Sequence, residues 1–179
     1  MYVPILRFKQ GEIKAIEKLS DSVKIGITPV FFTGEGNEIS LQKQIDFFVN
    51  HWKFPAYYER EVYKEDEDYV ALISHEELDI IPVYSDYNEN DSELISSLIQ
   101  IKGRCCMRIS CADIDEVSLA NKLNDMMSHI NISFENIDLI LDFETIESDR
   151  VNSHVIYARS LFQAVISMGA WNKIRGCPR

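Results

Sequence analysis

The chain has 179 residues and carries 18 Lys and Arg against 29 Asp and Glu, a formal net charge of −11. That length predicts one domain, residues 1–179, able to bury roughly 70% of its unfolded surface without disulfide or metal. A hydrophobic fraction of 46% with seven Gly and five Pro excludes a disordered or collagen-like chain; the acidic balance argues against non-specific nucleic-acid binding, which needs Lys and Arg to displace counterions from phosphates.

The N-terminus has no basic leader followed by a long apolar core, and no apolar run approaches the roughly 18–20 residues that span a bilayer. A soluble cytoplasmic protein is expected. Val3 to Phe8 reads as a buried strand, and Glu12 to Leu19 as a helix with Ile13, Ala15, Ile16 and Leu19 on one face. Lys24 to Phe32 reads as a second strand, followed by a Gly-containing loop over 33–38. Ser40 is placed to cap a helix carrying Leu41, Ile45, Phe48, Val49 and Trp52. Ala56 to Glu61 is a third strand. The acidic stretch 65–68 opens a helix continued by Tyr69, Leu72 and Ile73, where carboxylates favour the helix dipole.

Asp79 to Tyr84 is a fourth strand and Ser85 to Asp91 a polar loop. Glu93 to Lys102 is helical and stops at Gly103, a C′ glycine. Arg104 to Ser110 is a fifth strand, Val117 to Ile130 an amphipathic helix, Ile137 to Phe143 a sixth strand and Val155 to Met168 a helix. Ala170 to Ile174 begins another strand, which then stops in Arg175-Gly176-Cys177-Pro178-Arg179.

Strands and helices alternate about six times, and nearly continuous apolar strands imply a parallel sheet covered by helices. Two architectures satisfy this: an open doubly wound sheet or a (β/α)8-type barrel. Proline recurs at similar strand positions in Val3-Pro4-Ile5, Thr28-Pro29-Val30 and Ile81-Pro82-Val83, and no βα turn carries G-x-G-x-x-G; both favour the barrel. The expected fold is a TIM-barrel-like βα repeat with mostly parallel strands, incomplete at its C-terminus: about six βα units plus the start of another strand.

Several strand motifs carry a resemblance. Tyr2-Val3-Pro4-Ile5-Leu6-Arg7-Phe8-Lys9-Gln10-Gly11-Glu12 resembles the "VPILK-x-K-x-GE" opening of the phage T4 beta-protein family. Ile27-Thr28-Pro29-Val30, Met107-Arg108-Ile109 and Asp138-Leu139-Ile140-Leu141-Asp142 are similar to later strands of that family, in the same order. The resemblance implies a barrel-like α/β fold of phages and bacteria, often near mobile elements, with no established activity. It also implies a chain about twice as long, so this sequence reads as C-terminally truncated.

In a barrel, chemistry sits at the C-terminal ends of strands and in the loops after them. Those positions hold Arg7, Lys9, Thr33, Glu35, Glu59, Arg60, Tyr84, Asp86, Arg108, Ser110, Asp142 and Glu144. Arg108 and Asp142 are the sharpest pair, because each is a charge inside an apolar strand, where burial is costly unless paired. Asp142, Arg108 and Glu59 are the candidate catalytic residues, with Arg7, Lys9, Tyr84 and Glu144 as candidate substrate contacts. A structural Arg108–Asp142 ion pair is the competing reading. No metal-ligand spacing is present; Cys105, Cys106, Cys111 and Cys177 read as small buried hydrophobes. The four histidines read as surface or helix-packing residues, and the aromatic stretch 47–69 as core rather than a base-stacking surface.

The function expected from these features is a binding or interaction protein acting in phage–host conflict, with a protein partner or a second copy of itself. One alternative is a metal-assisted phosphoester hydrolase using Mg²⁺ held by Glu59, Asp142 and Glu144. The other is an inactive truncated fragment.

Overall fold

The computed structural model describes residues 3–32, 39–60, 66–86, 92–144 and 151–178. The sequence-predicted loop 33–38 and most of the polar loop after β4 lie outside them. The elements run β1 (Ile5–Arg7), α1 (Gln10–Glu17), α2 (Asp21–Lys24), β2 (Val30–Phe32), α3 (Leu41–Asn50), β3 (Ala56–Glu59), α4 (Asp66–Ser74), β4 (Ile80–Ser85), α5 (Ser92–Lys102), β5 (Cys105–Ser110), α6 (Glu116–His129), β6 (Ile137–Glu144), α7 (Val151–Met168) and β7 (Lys173–Pro178). No helix among the described residues is long and apolar enough to cross a membrane.

The chain divides into two compact units, Met1–Val83 and Tyr84–Arg179. In the first, β1 pairs with β2, β2 with β3 and β3 with β4, all parallel, with Ile5 opposite Val30, Val30 opposite Tyr57 and Ala56 opposite Ile80. In the second, which begins with Tyr84 and Ser85 at the end of β4, β5 pairs with β6 and β6 with β7, again parallel, with Cys105 opposite Ile137 and Asp138 opposite Lys173. Within each unit every strand therefore lies beside its sequence neighbour. A doubly wound sheet reverses its strand order part-way; consecutive parallel order is the arrangement of a barrel-type βα repeat.

The core of the first unit is aromatic. Phe8, Phe31, Phe47, Phe48 and Tyr58 stack with centroids 5.2 to 6.3 Å apart. Trp52 closes the cluster against Phe31 at 6.2 Å and donates its indole N–H to the Pro55 carbonyl. Tilted and edge-to-face pairs of this kind add to simple area burial. Lys24 is buried, and its ammonium caps the end of α3 by donating to the His51 carbonyl at 2.9 Å.

Some local expectations change. The second strand is shorter than 24–32, because Asp21–Lys24 is a helical turn and Pro29 has no N–H to give the ladder; the β1–β2 register starts at Val30. Ser40 occupies the cap position of α3, but its side chain makes no capping bond. Among the described cap positions, Asp115 makes a side-chain cap: its Oδ1 accepts from the Ser118 N–H at 2.7 Å. β7 continues through the Arg175-Gly176-Cys177-Pro178 segment that reads as a stop. A Cβ on Gly176 would stand 3.3 Å from Phe143 and 3.4 Å from Phe162, so glycine lets those rings sit against the strand. Gly103 has φ +69°, as a C′ glycine requires.

Phe31 is almost fully buried and touches four of these rings. Phe31→Ala should therefore lower unfolding stability by about 3–5 kcal/mol. Urea denaturation checks this, and a loss below about 1 kcal/mol would contradict the role given to the cluster.

Candidate ligand site at the ends of strands β4, β5 and β6

Alternation along β6 sorts its side chains. Phe143 meets Tyr157 and Phe162 of α7, with centroids 6.2 and 6.4 Å apart, so Ile137, Leu139, Leu141 and Phe143 form the helix-facing row. Asp138, Ile140, Asp142 and Glu144 form the opposite row. In the β5–β6 register Ser110 lies opposite Asp142 and Arg108 opposite Ile140, which puts Arg108 one residue pair below Asp142 on that same row.

There Arg108 and Asp142 form a buried ion pair. Arg108 Nε and Nη2 both donate to Asp142 Oδ2, at 3.2 and 2.5 Å. The side chains are 5% and 0% exposed. Burying either charge alone would be prohibitive; together, with hydrogen bonds to both, they are tolerated. The second carboxylate oxygen, Oδ1, accepts the Glu144 N–H at 3.0 Å. The Asp142 carbonyl accepts the Cys111 N–H at 2.7 Å.

Above the pair lies a polar cluster. Glu144, half-buried at the end of β6, accepts from the Ser110 hydroxyl at 2.8 Å through Oε1. The Ser110 N–H donates to both Asp86 oxygens, at 3.3 and 3.2 Å. Lys122 of α6 donates to Asp86 Oδ2 at 2.7 Å, with its side chain 32% exposed. The Asp86 N–H reaches the Arg108 carbonyl at 3.3 Å, which seats the residue after β4 beside β5. Tyr157 braces the loop after β5: its hydroxyl accepts from the Ile114 N–H and bonds to the Cys111 and Ile114 carbonyls.

The remaining candidates sit elsewhere. Tyr84 is buried and points to the helix layer, its hydroxyl 3.3 Å from His129 Nδ1 of α6. Arg7, Lys9 and Glu59 belong to the first unit. The Arg7 guanidinium lies over the Phe32 ring at 5.6 Å, while the Arg7 backbone N–H donates to Glu12. Lys9 stands at the cap position of α1 without a side-chain capping bond. Glu59 is buried at the end of β3. Burial, then the neighbouring Tyr58 and Glu59, raises the Tyr69 phenol above its ordinary value, so Tyr69 stays protonated and donates to the Tyr58 carbonyl. Glu35 and Thr33 lie outside the described residues. Lys122 and Tyr157 carry no sequence signal: a lysine or tyrosine on an amphipathic helix looks like any surface or packing residue.

Among the described residues, no group of three or more His, Cys, Asp or Glu side chains could hold a metal ion. Cys105, Cys106 and Cys111 are buried thiols outside any disulfide. Burial, then the charge of Asp138, pushes the Cys105 thiol up to about 12. Burial, then Asp142 and Asp86, does the same at Cys111, to about 12.

A family model described as "Beta protein" matches residues 2–175. The chain belongs to the Beta protein family. No curated protein matches it. In structure, this Beta protein family member is similar to a GH18 chitinase from Pseudoalteromonas aurantia, with a TM-score of 0.59 and 11% identity over 96% of this chain and 77% of the chitinase. At that identity the likeness shows the fold, an α/β TIM-barrel-like repeat.

Two measurements check the site. Asp142→Leu alone should lower stability by about 3–5 kcal/mol, because it strands the Arg108 charge, and Arg108→Met added to it should recover most of the loss; equal losses that simply add would contradict a coupled pair. Cys105 and Cys111 should resist a thiol reagent at pH 8 in the folded protein and react once it is unfolded. Their raised values mean that the unfolded chain loses these protons first as pH rises. Their stabilising contribution is whole below the ordinary value of 9.0 and declines from there towards about 12. Alkaline melting curves that stay flat across that window would contradict it.

Proposed function

We propose that this Beta protein family member is a binding protein acting in phage–host conflict, and that its site at the ends of β4, β5 and β6 takes a hydroxyl-rich, sugar-type ligand. The observation that carries the reading is the half-buried Glu144 carboxylate, oriented by the Ser110 hydroxyl beside the Asp86–Lys122 pair. The described residues of the cluster offer carboxylate and hydroxyl acceptors and the Lys122 ammonium. Hydroxyl groups, which donate and accept, match it; a phosphate would meet Glu144 and Asp86 and be repelled. Motif resemblance to a phage family supports the biological setting.

The geometry favours binding over metal-assisted phosphoester hydrolysis. Both oxygens of Asp142, the carboxylate that reading needs most, accept hydrogen bonds, from Arg108 and from the Glu144 N–H.

Titration calorimetry with a panel of tetrasaccharides, led by the chitin tetramer because of the chitinase-like fold, tests the proposal. At least one member should bind, and Glu144→Gln should weaken it by about 10-fold or more, the loss expected for a hydrogen bond to a charged group. Absence of binding across the panel, or unchanged affinity in Glu144→Gln, would overturn it.

A further inference from the structure

We infer that the Arg108–Asp142 pair is a positioning device for Glu144, setting the backbone conformation that aims its carboxylate; this rests on the binding role proposed for Glu144. Glu144 has φ +55°, in the left-handed region that a β-carbon disfavours. The β6–β7 pairing slips in register between Asp142 and Glu144, which takes the Glu144 amide out of the regular ladder. That amide is donated instead to Asp142 Oδ1 at 3.0 Å, while Arg108 holds Oδ2 of the same carboxylate. A pair that only neutralised buried charge would have no need to commit one oxygen to the next turn of backbone.

The side chain is fixed from the other direction. Ser110 donates to Glu144 Oε1 at 2.8 Å, and the Ser110 N–H is itself tied to Asp86. The Asp142 carbonyl, bonded to the Cys111 N–H at 2.7 Å, locks the end of β6 to the residue after β5. Glu144 is thus clamped at its backbone by Asp142 and at its carboxylate by Ser110. A strained residue held by its surroundings at the end of a strand is a recurrent feature of ligand sites, and a ligand finding the carboxylate already oriented avoids the entropy of ordering it. Arg108 and Asp142 act through Glu144 and need not touch the ligand.

Two cycles test the clamp. Without ligand, Glu144→Gly should melt about 2–4 °C above Glu144→Ala, because glycine accepts the left-handed conformation freely. In an Arg108→Lys background, which keeps the charge but loosens the grip on Asp142, that gap should shrink to within about 1 °C. An unchanged gap would overturn the inference. With whichever tetrasaccharide binds, Arg108→Lys should weaken binding about 10-fold in the wild-type background and have no further effect on top of Glu144→Gln. Equal weakening in both backgrounds would mark Arg108 as purely structural and overturn the positioning role. Should no sugar bind, the binding proposal fails while the melting cycle still decides the clamp.

Discussion

Two opposite charges held out of water, each tolerated only because of the other, organise the second unit. Asp142 is completely buried and Arg108 nearly so, and neither could be there alone, because an uncompensated charge in such a site costs several kcal/mol. The requirement that they meet fixes the β5–β6 register, since a one-residue slip would turn one of them to the helix-facing row. Asp142 then spends its second oxygen on the Glu144 amide. A local demand for charge pairing is thereby converted into the shape of the strand end proposed to bind ligand.

The first unit meets its stability needs differently. Its strands β1 and β2 are three residues each, too short to be held by ladder hydrogen bonds alone. Aromatic rings from the loop after β1, from β2, β3 and from α3 supply the missing burial. Polar chemistry is correspondingly sparse in its interior, where Glu59 and Lys24 are the buried charges among the described residues. In the second unit longer strands, six and eight residues in β5 and β6, leave a row free for Arg108, Ser110, Asp142 and Glu144.

Much of this is legible from residue patterns, for identifiable reasons. Alternating apolar strands and amphipathic helices declare an α/β repeat, because burial on both faces demands continuous apolar strands. Arg108 and Asp142 stand out because a charge in such a strand is an exception needing a partner. The backbone at Glu144 is not legible: nothing in Asp142-Phe143-Glu144 distinguishes a left-handed glutamate from an extended one, since that conformation is imposed by a carboxylate two residues earlier. Lys122 is equally silent, because its role depends on where α6 lies over the end of β4. The region around Lys24 misleads for the opposite reason. Its apolar run suggests a long strand, yet a helical turn at Asp21–Lys24 and the missing Pro29 N–H postpone the β1–β2 register to Val30.

A buried carboxylate, that of Asp142, holds the backbone of the half-buried Glu144. Hydrogen exchange at the Glu144 amide measures this most directly. The N–H donated to Asp142 should exchange at least about 100-fold more slowly than in an unstructured peptide, and Arg108→Lys should reduce that protection. Exchange within about 10-fold of the unstructured rate in the wild-type protein would contradict the account.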